Sequence, residues 1–350
     1  MRMFQVCTCG QPLQLMEQPT PQPKGTEVLL KVLAAGVCHS DLHLADGYFD
    51  LGGGKRLSLE ERGMKLPLTL GHENVGEVVA AGPDAQGVKL GQRMLVDPWI
   101  GCGHCPACQR NEDNLCSAMR SIGVFADGGY ADTLMVPHPR YLFDIGDLPP
   151  ERAAPLACSG ATTFGALKKV TTLTREPTVI IGAGGLGLMC LALHGKMGGH
   201  SAIVADIDPA KLAAAGAAGA AALVDAKAPD AVDQIRKLTN GGAYAVIDLV
   251  GSSQSARLGY DSLAKGGKYI IVGLYGGDFT VALPPIPMRA LTIQGSYVGS
   301  VPEIQELMDL VRHTGLPDVP VATRPLEDVN AVHNELRAGK IVGRVVLTPA

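Results

Sequence analysis

Short apolar runs broken by glycine and proline fill the first 150 residues of the chain. Runs of this length with turn residues between them are typical of β-strands, and they are predicted at residues 27–35, 74–81, 92–96 and 130–136. Turn signals separate them, for example at residues 81–84 and 126–129. The pattern predicts a β-rich, barrel-like unit.

After residue 150 the pattern changes to short apolar strands that alternate with helices. Strands are predicted at 178–181, 201–206, 222–225, 244–250 and 269–273, and helices at 185–197, 209–216, 230–238 and 252–263. Fully apolar strands between helices indicate a parallel sheet covered on both faces. Beyond residue 300, two amphipathic helices flank a proline-rich loop before a closing strand at 344–347. This last segment is expected to return to the first unit, so that the β-rich domain is discontinuous.

Composition and charge narrow the class of protein. With 350 residues, 46% hydrophobic and 18% charged, the chain has enough core material for two globular domains. The net charge of −4 provides no basic field for nucleic acid or for an anionic membrane. The chain has no apolar run of about 20 residues, and its first residues lack a signal-peptide pattern. The nine cysteines are therefore interpreted as thiols or metal ligands in the cytoplasm.

Four cysteines lie close together in a lobe at about residues 97–120, with the spacing C-x2-C-x2-C-x7-C. They are Cys102, Cys105, Cys108 and Cys116. Four thiolates within so short a segment can close a tetrahedron around zinc and leave no open position, which is typical of a structural site. A ferredoxin-type iron–sulfur cluster is the alternative, but that motif continues with a gap of three and a Cys-Pro pair. His104 is expected to be a bystander.

A glycine-rich turn follows the predicted strand at 178–181. It contains Gly182, Gly184, Gly185, Leu186 and Gly187 and matches G-x-G-x-x-G at the start of a helix. In this context the glycines let a helix N-terminus approach a pyrophosphate. Asp206 ends the next strand about 20 residues on, where an acid binds the ribose hydroxyls of NAD and repels the 2′-phosphate of NADP. Lys211, one helical turn later, could also reach that ribose.

Residues 36–43 combine a thiol, a hydroxyl, a carboxylate and two imidazoles directly after an apolar strand. Cys38, and His72 further on, carry the sulfur and nitrogen ligands that zinc prefers. A catalytic zinc has three protein ligands and an open fourth position. A third ligand is therefore expected from elsewhere in the chain.

Taken together, these motifs resemble the zinc-dependent alcohol dehydrogenases of the medium-chain dehydrogenase/reductase superfamily over essentially the whole chain. The most specific segments are residues 36–41, 71–73, 158–163 and 182–187, and the four-cysteine lobe. The resemblance implies an α/β fold in which a doubly wound Rossmann domain (156–297) is inserted in a β-rich GroES-like catalytic domain (1–155 and 298–350). The active site is expected in the cleft between them.

The resemblance also implies roles for individual residues around the metal. Cys158 would be the third zinc ligand, and Glu73 would either lie near the metal and exchange with substrate or stand behind the ligands. Asp41 would support the histidine ligand. Ser40 would take the proton of the alcohol and pass it, through the cofactor ribose, to His43 and solvent.

On the cofactor side, the resemblance places Arg344 at the pyrophosphate and Thr162, Val272 and Val298 beside the nicotinamide. The chain departs from many relatives at His39, where they carry a pyrophosphate-binding arginine; a histidine there would make cofactor binding weaker and dependent on pH. It also departs at residues 50–62, a longer segment expected to form a loop or short helix at the cleft mouth. Phe49 and Trp99 are candidate walls of the substrate pocket.

The implied activity is reversible, NAD-dependent oxidation of primary or secondary alcohols, with two zinc ions per chain. A polyol or threonine dehydrogenase is the nearest alternative, although such relatives usually place glutamate where this chain has Cys158. An NADP-preferring cinnamyl-type reductase is disfavoured by Asp206. A non-catalytic NAD-binding redox sensor or a zinc-free relative of quinone reductases is disfavoured by the complete set of ligands. A homo-oligomer is expected, a tetramer rather than a dimer, with contact through a strand at 291–298.

Overall fold

A computed structural model of the chain describes residues 1–349, and Ala350, the last residue of the predicted catalytic domain, lies outside them. The strands are β1 (Arg2–Val6), β2 (Gln14–Glu17), β3 (Val28–Gly36), β4 (Tyr48–Asp50), β5 (Arg56–Ser58), β6 (Leu68–Thr69), β7 (Glu73–Ala81), β8 (Arg93–Val96), β9 (Thr133–Val136), β10 (Leu142–Asp144), β11 (Thr178–Ile181), β12 (Ala202–Asp206), β13 (Ala222–Asp225), β14 (Ala243–Asp248), β15 (Leu263–Ile271), β16 (Thr292–Gly295), β17 (Val321–Pro325) and β18 (Arg344–Thr348).

The helices are α1 (His39–Asp46), α2 (Pro106–Gln109), α3 (Pro150–Ala153), α4 (Ser159–Lys168), α5 (Gly185–Lys196), α6 (Pro209–Ala217), α7 (Ala231–Leu238), α8 (Ser253–Asp261), α9 (Pro285–Met288), α10 (Val301–Thr314) and α11 (Val329–Arg337). Short 3₁₀ turns occur at Asp113–Leu115, Pro139–Tyr141, Ala154–Ala157 and Leu326–Asp328. Within the described part of the chain, no helix combines the length and the hydropathy needed to cross a membrane.

The β-rich unit is built around β3. This strand pairs with β7, β9 and β18 in a seven-stranded sheet that also contains β8, β10 and β17. The end of β3 at Gly36 pairs with Glu73 at the start of β7 and with Val346 of β18. The register therefore brings the chain just after β3, just before β7 and at the start of β18 to one end of the sheet.

The second unit is a parallel sheet of six strands in the order β13-β12-β11-β14-β15-β16. Its central strand β11 is buried along its whole length, as expected for a strand covered by helices on both faces. The strand order reverses between β11 and β14, and in such sheets this switch point is where ligands bind. The prediction of a doubly wound α/β unit combined with a β-rich one is confirmed.

Several local predictions were wrong in detail. Residues 50–62 were expected to form a loop or a short helix; they are mostly turns, but β4 and β5 pair as an antiparallel hairpin that the prediction did not include. Three successive glycines with positive φ, Gly52 to Gly54, make the tight turn that this hairpin requires. The proline-rich loop contains β17, which pairs in parallel with β18. Strand β15 begins at Leu263, six residues before the predicted 269, since an irregularity in its pairing with β14 accommodates the extra residues.

Candidate active site

Three side chains meet at the end of the seven-stranded sheet. Cys38 is the N-cap of α1, His72 immediately precedes β7, and Cys158 lies where a 3₁₀ turn gives way to α4. Their ligand atoms all lie within 4.8 Å of one another. The β3–β7 register brings Cys38 and His72 together, and packing of the 3₁₀ turn Ala154–Ala157 against the sheet adds the third sulfur. These are the three residues expected to hold the catalytic metal.

The donor set also fits a metal electronically. His72 is fully buried, its Nδ1 lies 3.1 Å from Asp41 Oδ1, and its Nε2 has no hydrogen-bond partner within residues 1–349. A carboxylate on Nδ1 selects the tautomer whose Nε2 lone pair is free for a metal. A hydrogen bond from Cys158 lowers the pKa of Cys38 well below that of an ordinary thiol, and His72 lowers it further. One nitrogen and two sulfurs leave a fourth position open on zinc.

Asp41 is fixed by three donors. Besides His72, its carboxylate accepts hydrogen bonds from the Cys38 backbone N–H at 2.9 Å and from the Tyr130 hydroxyl at 2.8 Å. Both Asp41 and Tyr130 are completely buried. Tyr130 was not among the predicted site residues, because an isolated tyrosine at the edge of a predicted strand carries no signal of this contact.

Glu73 stands behind the ligands in this structure. Its carboxylate contacts the Arg344 guanidinium and accepts a hydrogen bond from the Ser159 backbone N–H at 3.1 Å. It is not among the side chains that converge within 4.8 Å at the site in the described residues. Burial raises the pKa of Glu73 to about 7, although Arg344 opposes the shift. Glu73 thus connects the segments that carry His72 and Cys158 to Arg344, which was expected at the cofactor.

The residues of the predicted proton relay lie on α1. Ser40 and His43 are half-buried, and the His43 ring lies 4.9 Å from the ring of Phe49 and 5.5 Å from that of His39. Burial lowers the pKa of His43, and the neighbouring His39 adds to the effect. His43 is therefore neutral, and able to accept a proton, at pH 7.

The glycine-rich turn has the shape expected for close approach of a phosphate. Gly182 has φ +100°, and a Cβ on Gly187 would collide with the Gly182 carbonyl, so neither position tolerates a side chain. A Cβ on Gly185 would lie 2.7 Å from Cδ of Arg344, whose buried Nε has no partner in the part of the chain that the structure covers. Gly184 is the N-cap of α5, and Leu186 lies in its first turn. An unpaired guanidinium N–H beside a helix N-terminus is suited to an anion.

Asp206 closes the other side of that turn. Its carboxylate accepts hydrogen bonds from the backbone N–H groups of Ala183, at 2.6 Å, and Asp208, at 2.9 Å. Lys211 is half-buried in the first turn of α6. Its ammonium contacts Gly339 on the other unit, because a Cβ on that glycine would lie 4.0 Å from Nζ. Both side chains therefore lie at the switch-point end of the parallel sheet.

A small apolar cluster lines the cleft beside the three ligands. Trp99 and Val298 pack with Cys158, and the Trp99 ring lies 5.8 Å from the His72 ring. Thr162, on α4, has a buried hydroxyl that lacks a hydrogen-bond partner among residues 1–349. Val272 is buried just after β15. Trp99 and Val298 thus place apolar surface beside His72 and Cys158.

The β4–β5 hairpin packs against the segment that follows β15. A Cβ on Gly52 at its tip would lie 2.7 Å from the backbone of Gly277 and Asp278, which follow β15 on the other unit. A Cβ on Gly276 would lie 2.8 Å from Asp50. The two chain segments are in backbone contact, and the hairpin carries Phe49 onto His43.

The four-cysteine lobe forms a second, separate cluster. The sulfurs of Cys102, Cys105, Cys108 and Cys116 all lie within 4.8 Å of one another. The Cys105–Cys108 and Cys102–Cys108 sulfurs are 3.5 and 3.9 Å apart, near the edge of about 3.8 Å of a tetrahedron with Zn–S bonds of about 2.3 Å. Hydrogen bonds from the backbone N–H groups of His104 and Cys105 lower the pKa of Cys102 to about 6, which favours its thiolate. The exposed His104 ring bonds to the Cys102 carbonyl.

Comparison with known proteins agrees with this geometry. Residues 24–147 match the family model of the alcohol dehydrogenase GroES-like domain, and residues 185–313 match that of the zinc-binding dehydrogenases. The chain is 39% identical to an NAD-dependent alcohol dehydrogenase of Sulfurisphaera tokodaii and 37% identical to one of Saccharolobus solfataricus, over 100% of each chain. It superposes on the crystal structure of the alcohol dehydrogenase of Aeropyrum pernix with a TM-score of 0.90 at 32% identity, covering 100% of both chains.

Proposed function

The chain belongs to the zinc-dependent alcohol dehydrogenases of the medium-chain dehydrogenase/reductase superfamily, and on that premise we propose how its residues divide the work of NAD-dependent alcohol oxidation. The reaction interconverts a primary or secondary alcohol with an aldehyde or ketone by hydride transfer. The observation that carries the proposal is the convergence of Cys38, His72 and Cys158 beside a phosphate-binding turn, with the buried Nε2 of His72 free to bind a metal.

Cys38, His72 and Cys158 would hold the catalytic zinc. When bound, zinc supplies a Lewis acid that makes an alcohol hydroxyl acidic near neutral pH. Asp41 orients His72 and keeps Nε2 directed at the two sulfurs. Glu73 is held by Arg344 and Ser159, and any approach of its carboxylate to the metal would require release of the contact with Arg344.

Ser40 and His43 would carry the proton out of the cleft. The Ser40 hydroxyl would take up the proton of the alcohol while giving up its own, which would pass through the cofactor ribose to neutral His43, three residues further along α1, and then to solvent. Phe49 packs on His43 and limits the positions of its ring. The relay therefore runs along one face of a single helix.

NAD would bind across the switch point of the parallel sheet and accept the hydride there. Gly182 to Gly187, Arg344 and His39 would bind its pyrophosphate. Asp206 and Lys211 would bind the adenosine ribose. Thr162, Val272 and Val298 would border the nicotinamide.

We also propose that the four-cysteine lobe holds a second, structural zinc, giving two ions per chain. We propose a catalytic domain at 1–155 and 298–350, with the lobe at about 97–120, and a cofactor domain at 156–297; the separation of the seven-stranded sheet from the six-stranded parallel sheet supports this division. Nine free cysteines, seven of which lie in the two metal clusters, are best suited to the reducing cytoplasm.

A homo-oligomer is supported by the outer edge of the parallel sheet. β16 is its terminal strand, and edge strands present unpaired backbone groups. Large apolar side chains are exposed around it, namely Tyr275, Leu283, Met288 and Ile293. A tetramer is the state expected from the family, and light scattering of the purified protein would determine the number of subunits.

Metal analysis combined with one substitution tests the proposal. The purified protein should contain two zinc ions per chain and oxidise alcohols with NAD. Cys158→Ser should lose turnover while NADH fluorescence shows that the cofactor still binds. Full activity in a zinc-stripped Cys158→Ser enzyme would refute the proposed role of the metal.

A further inference from the structure

The link between the four-cysteine lobe and the active-site cleft has a function of its own. We propose that Asn114 is a positioning residue: its side-chain amide holds the Tyr297 carbonyl and so keeps Val298 in place as a wall of the cleft. The inference rests on the proposed function, because it assigns Asn114 to the same reaction, but it depends on different contacts.

The first observation is the contact itself. Asn114 lies in the lobe between Cys108 and Cys116, is only 8% exposed, and donates from Nδ2 to the Tyr297 carbonyl at 2.9 Å. The two residues are 183 positions apart in the chain. A buried amide that leaves its own segment to bind a distant backbone carbonyl fixes the position of that carbonyl.

The second observation is the backbone of the next residue. Val298 has φ +42°, a left-handed conformation that is strained for a β-branched side chain. Such a conformation persists only where the surroundings enforce it, and strained residues of this kind cluster at functional sites. The Tyr297 carbonyl belongs to the peptide that leads directly into this φ angle.

The segment is held on its other side as well. A Cβ on Gly299 would lie 2.8 Å from the Cβ of Ala161 on α4, so the backbone runs tightly against that helix. Ser300 then caps α10 through a reciprocal pair of hydrogen bonds with Glu303. Asn114 supplies the restraint on the side that faces the β-rich unit.

The four-cysteine lobe is itself held by buried hydrogen bonds, so the position of Asn114 is fixed relative to the β-rich unit. Asp113, next to Asn114, is fully buried and accepts hydrogen bonds from the Tyr141 hydroxyl and the Arg140 guanidinium, both at 3.0 Å. The path therefore runs from the β-rich unit through the lobe to Tyr297 and Val298. Val298 in turn packs on Trp99 and Cys158.

A double-mutant cycle of four metal-loaded enzymes tests the proposal: Asn114→Ala, Val298→Gly, the double variant and the wild type. Gln109→Ala, an exposed amide on the same lobe, is the matched control. Asn114→Asp is a second variant, since it keeps the shape of the side chain but removes the donor. Zinc content and the midpoint of thermal unfolding are measured for each.

Two readouts report on positioning. Trp99 is the sole tryptophan of the chain and packs on Val298, so its emission monitors this wall without any substrate. We expect Asn114→Ala and Asn114→Asp to change that emission and the NADH dissociation constant, and Gln109→Ala to change neither. We expect kcat to fall roughly tenfold, within the ~10²-fold that a 1 Å misplacement can cost, with little change in KM for the alcohol.

The double variant separates positioning from general stability. Glycine adopts positive φ freely, so removing the Asn114 amide should matter less when residue 298 is glycine. The inference would be overturned if Asn114→Ala lowered kcat equally in the wild type and in the Val298→Gly enzyme. It would also be overturned if missing zinc explained the whole fall in kcat. An unchanged Trp99 emission in Asn114→Asp would overturn it too. If the wild-type enzyme oxidises no alcohol, the proposed function fails, while emission and NADH binding still decide the role of Asn114.

Discussion

Replacing Tyr130 by phenylalanine should weaken the catalytic metal site from a distance. The substitution removes the hydroxyl that donates to Asp41 at 2.8 Å and leaves the ring in place. The remaining donors to Asp41 are His72 Nδ1 and the Cys38 backbone N–H. Asp41 would then be a fully buried carboxylate with one donor fewer.

The size of the effect follows from these contacts. A hydrogen bond to a charged group contributes about 1.5–3 kcal/mol to stability. Tyr130→Phe should lower the free energy of unfolding of the metal-bound protein by about this amount, because Asp41 must stay aligned with His72 there. Without metal, His72 is not held at Nε2, so Asp41 and His72 should be able to shift together and recover part of that loss. The difference between the losses with and without metal appears as a higher dissociation constant for zinc. Each ~1.4 kcal/mol raises that constant about tenfold. The expected change lies within the 10–100-fold range for residues that hold a metal ligand in place.

The assay is competition for zinc with a chromophoric chelator. Released zinc and remaining activity are measured together, so that loss of the catalytic ion is distinguished from loss of the structural one. Tyr269→Phe is the matched control, because the Tyr269 hydroxyl donates to buried Asp248 at 2.6 Å in the parallel sheet, where no metal ligand is involved. It should lose stability without losing zinc affinity. Equal chelator sensitivity of the wild type and Tyr130→Phe would refute the reasoning.

Three further outcomes are expected. Asp206→Ser should raise kcat/KM with NADP and lower it with NAD, and equal values for both cofactors in the wild type would contradict the role of Asp206. Gly276→Ala should push the β4–β5 hairpin away from the cofactor unit and speed NADH release in stopped-flow fluorescence; unchanged release would mean that the hairpin does not limit it. Because burial lowers the pKa of His43, this residue stays neutral even somewhat below pH 6.5. His43→Gln should therefore slow alcohol oxidation most near pH 7. The ratio of wild-type to variant rate should shrink toward pH 10, because hydroxide replaces the lost base. A ratio that does not change with pH would exclude the relay.

Local patterns in the sequence were sufficient for much of the architecture. The strand at 178–181 and the helix that starts at Gly185 were predicted with their observed starts, because burial of β11 on both faces and the glycine turn are encoded within a few residues. The hairpin at β4–β5 was missed, since its three glycines were interpreted as a loop and the short strands beside them carry little apolar signal. The third metal-site residue, Cys158, was reached only through resemblance to a family.

The sequence by itself determined the features whose interacting residues lie within one short stretch of chain. These are the periods of strands and helices, the phosphate-binding turn and the spacing of the four cysteines. Only the tertiary structure decided which distant side chains meet. Tyr130 reaches Asp41 across 89 positions, Asn114 reaches Tyr297 across 183, and Arg344 reaches Glu73 across 271. The pairing of β3 with β7, β9 and β18 brings Tyr130 to Asp41 and Arg344 to Glu73. The four-cysteine lobe packs against the segment after β16 and brings Asn114 to Tyr297. No local pattern records these contacts, because each depends on how distant parts of the chain pack and not on the residues beside it.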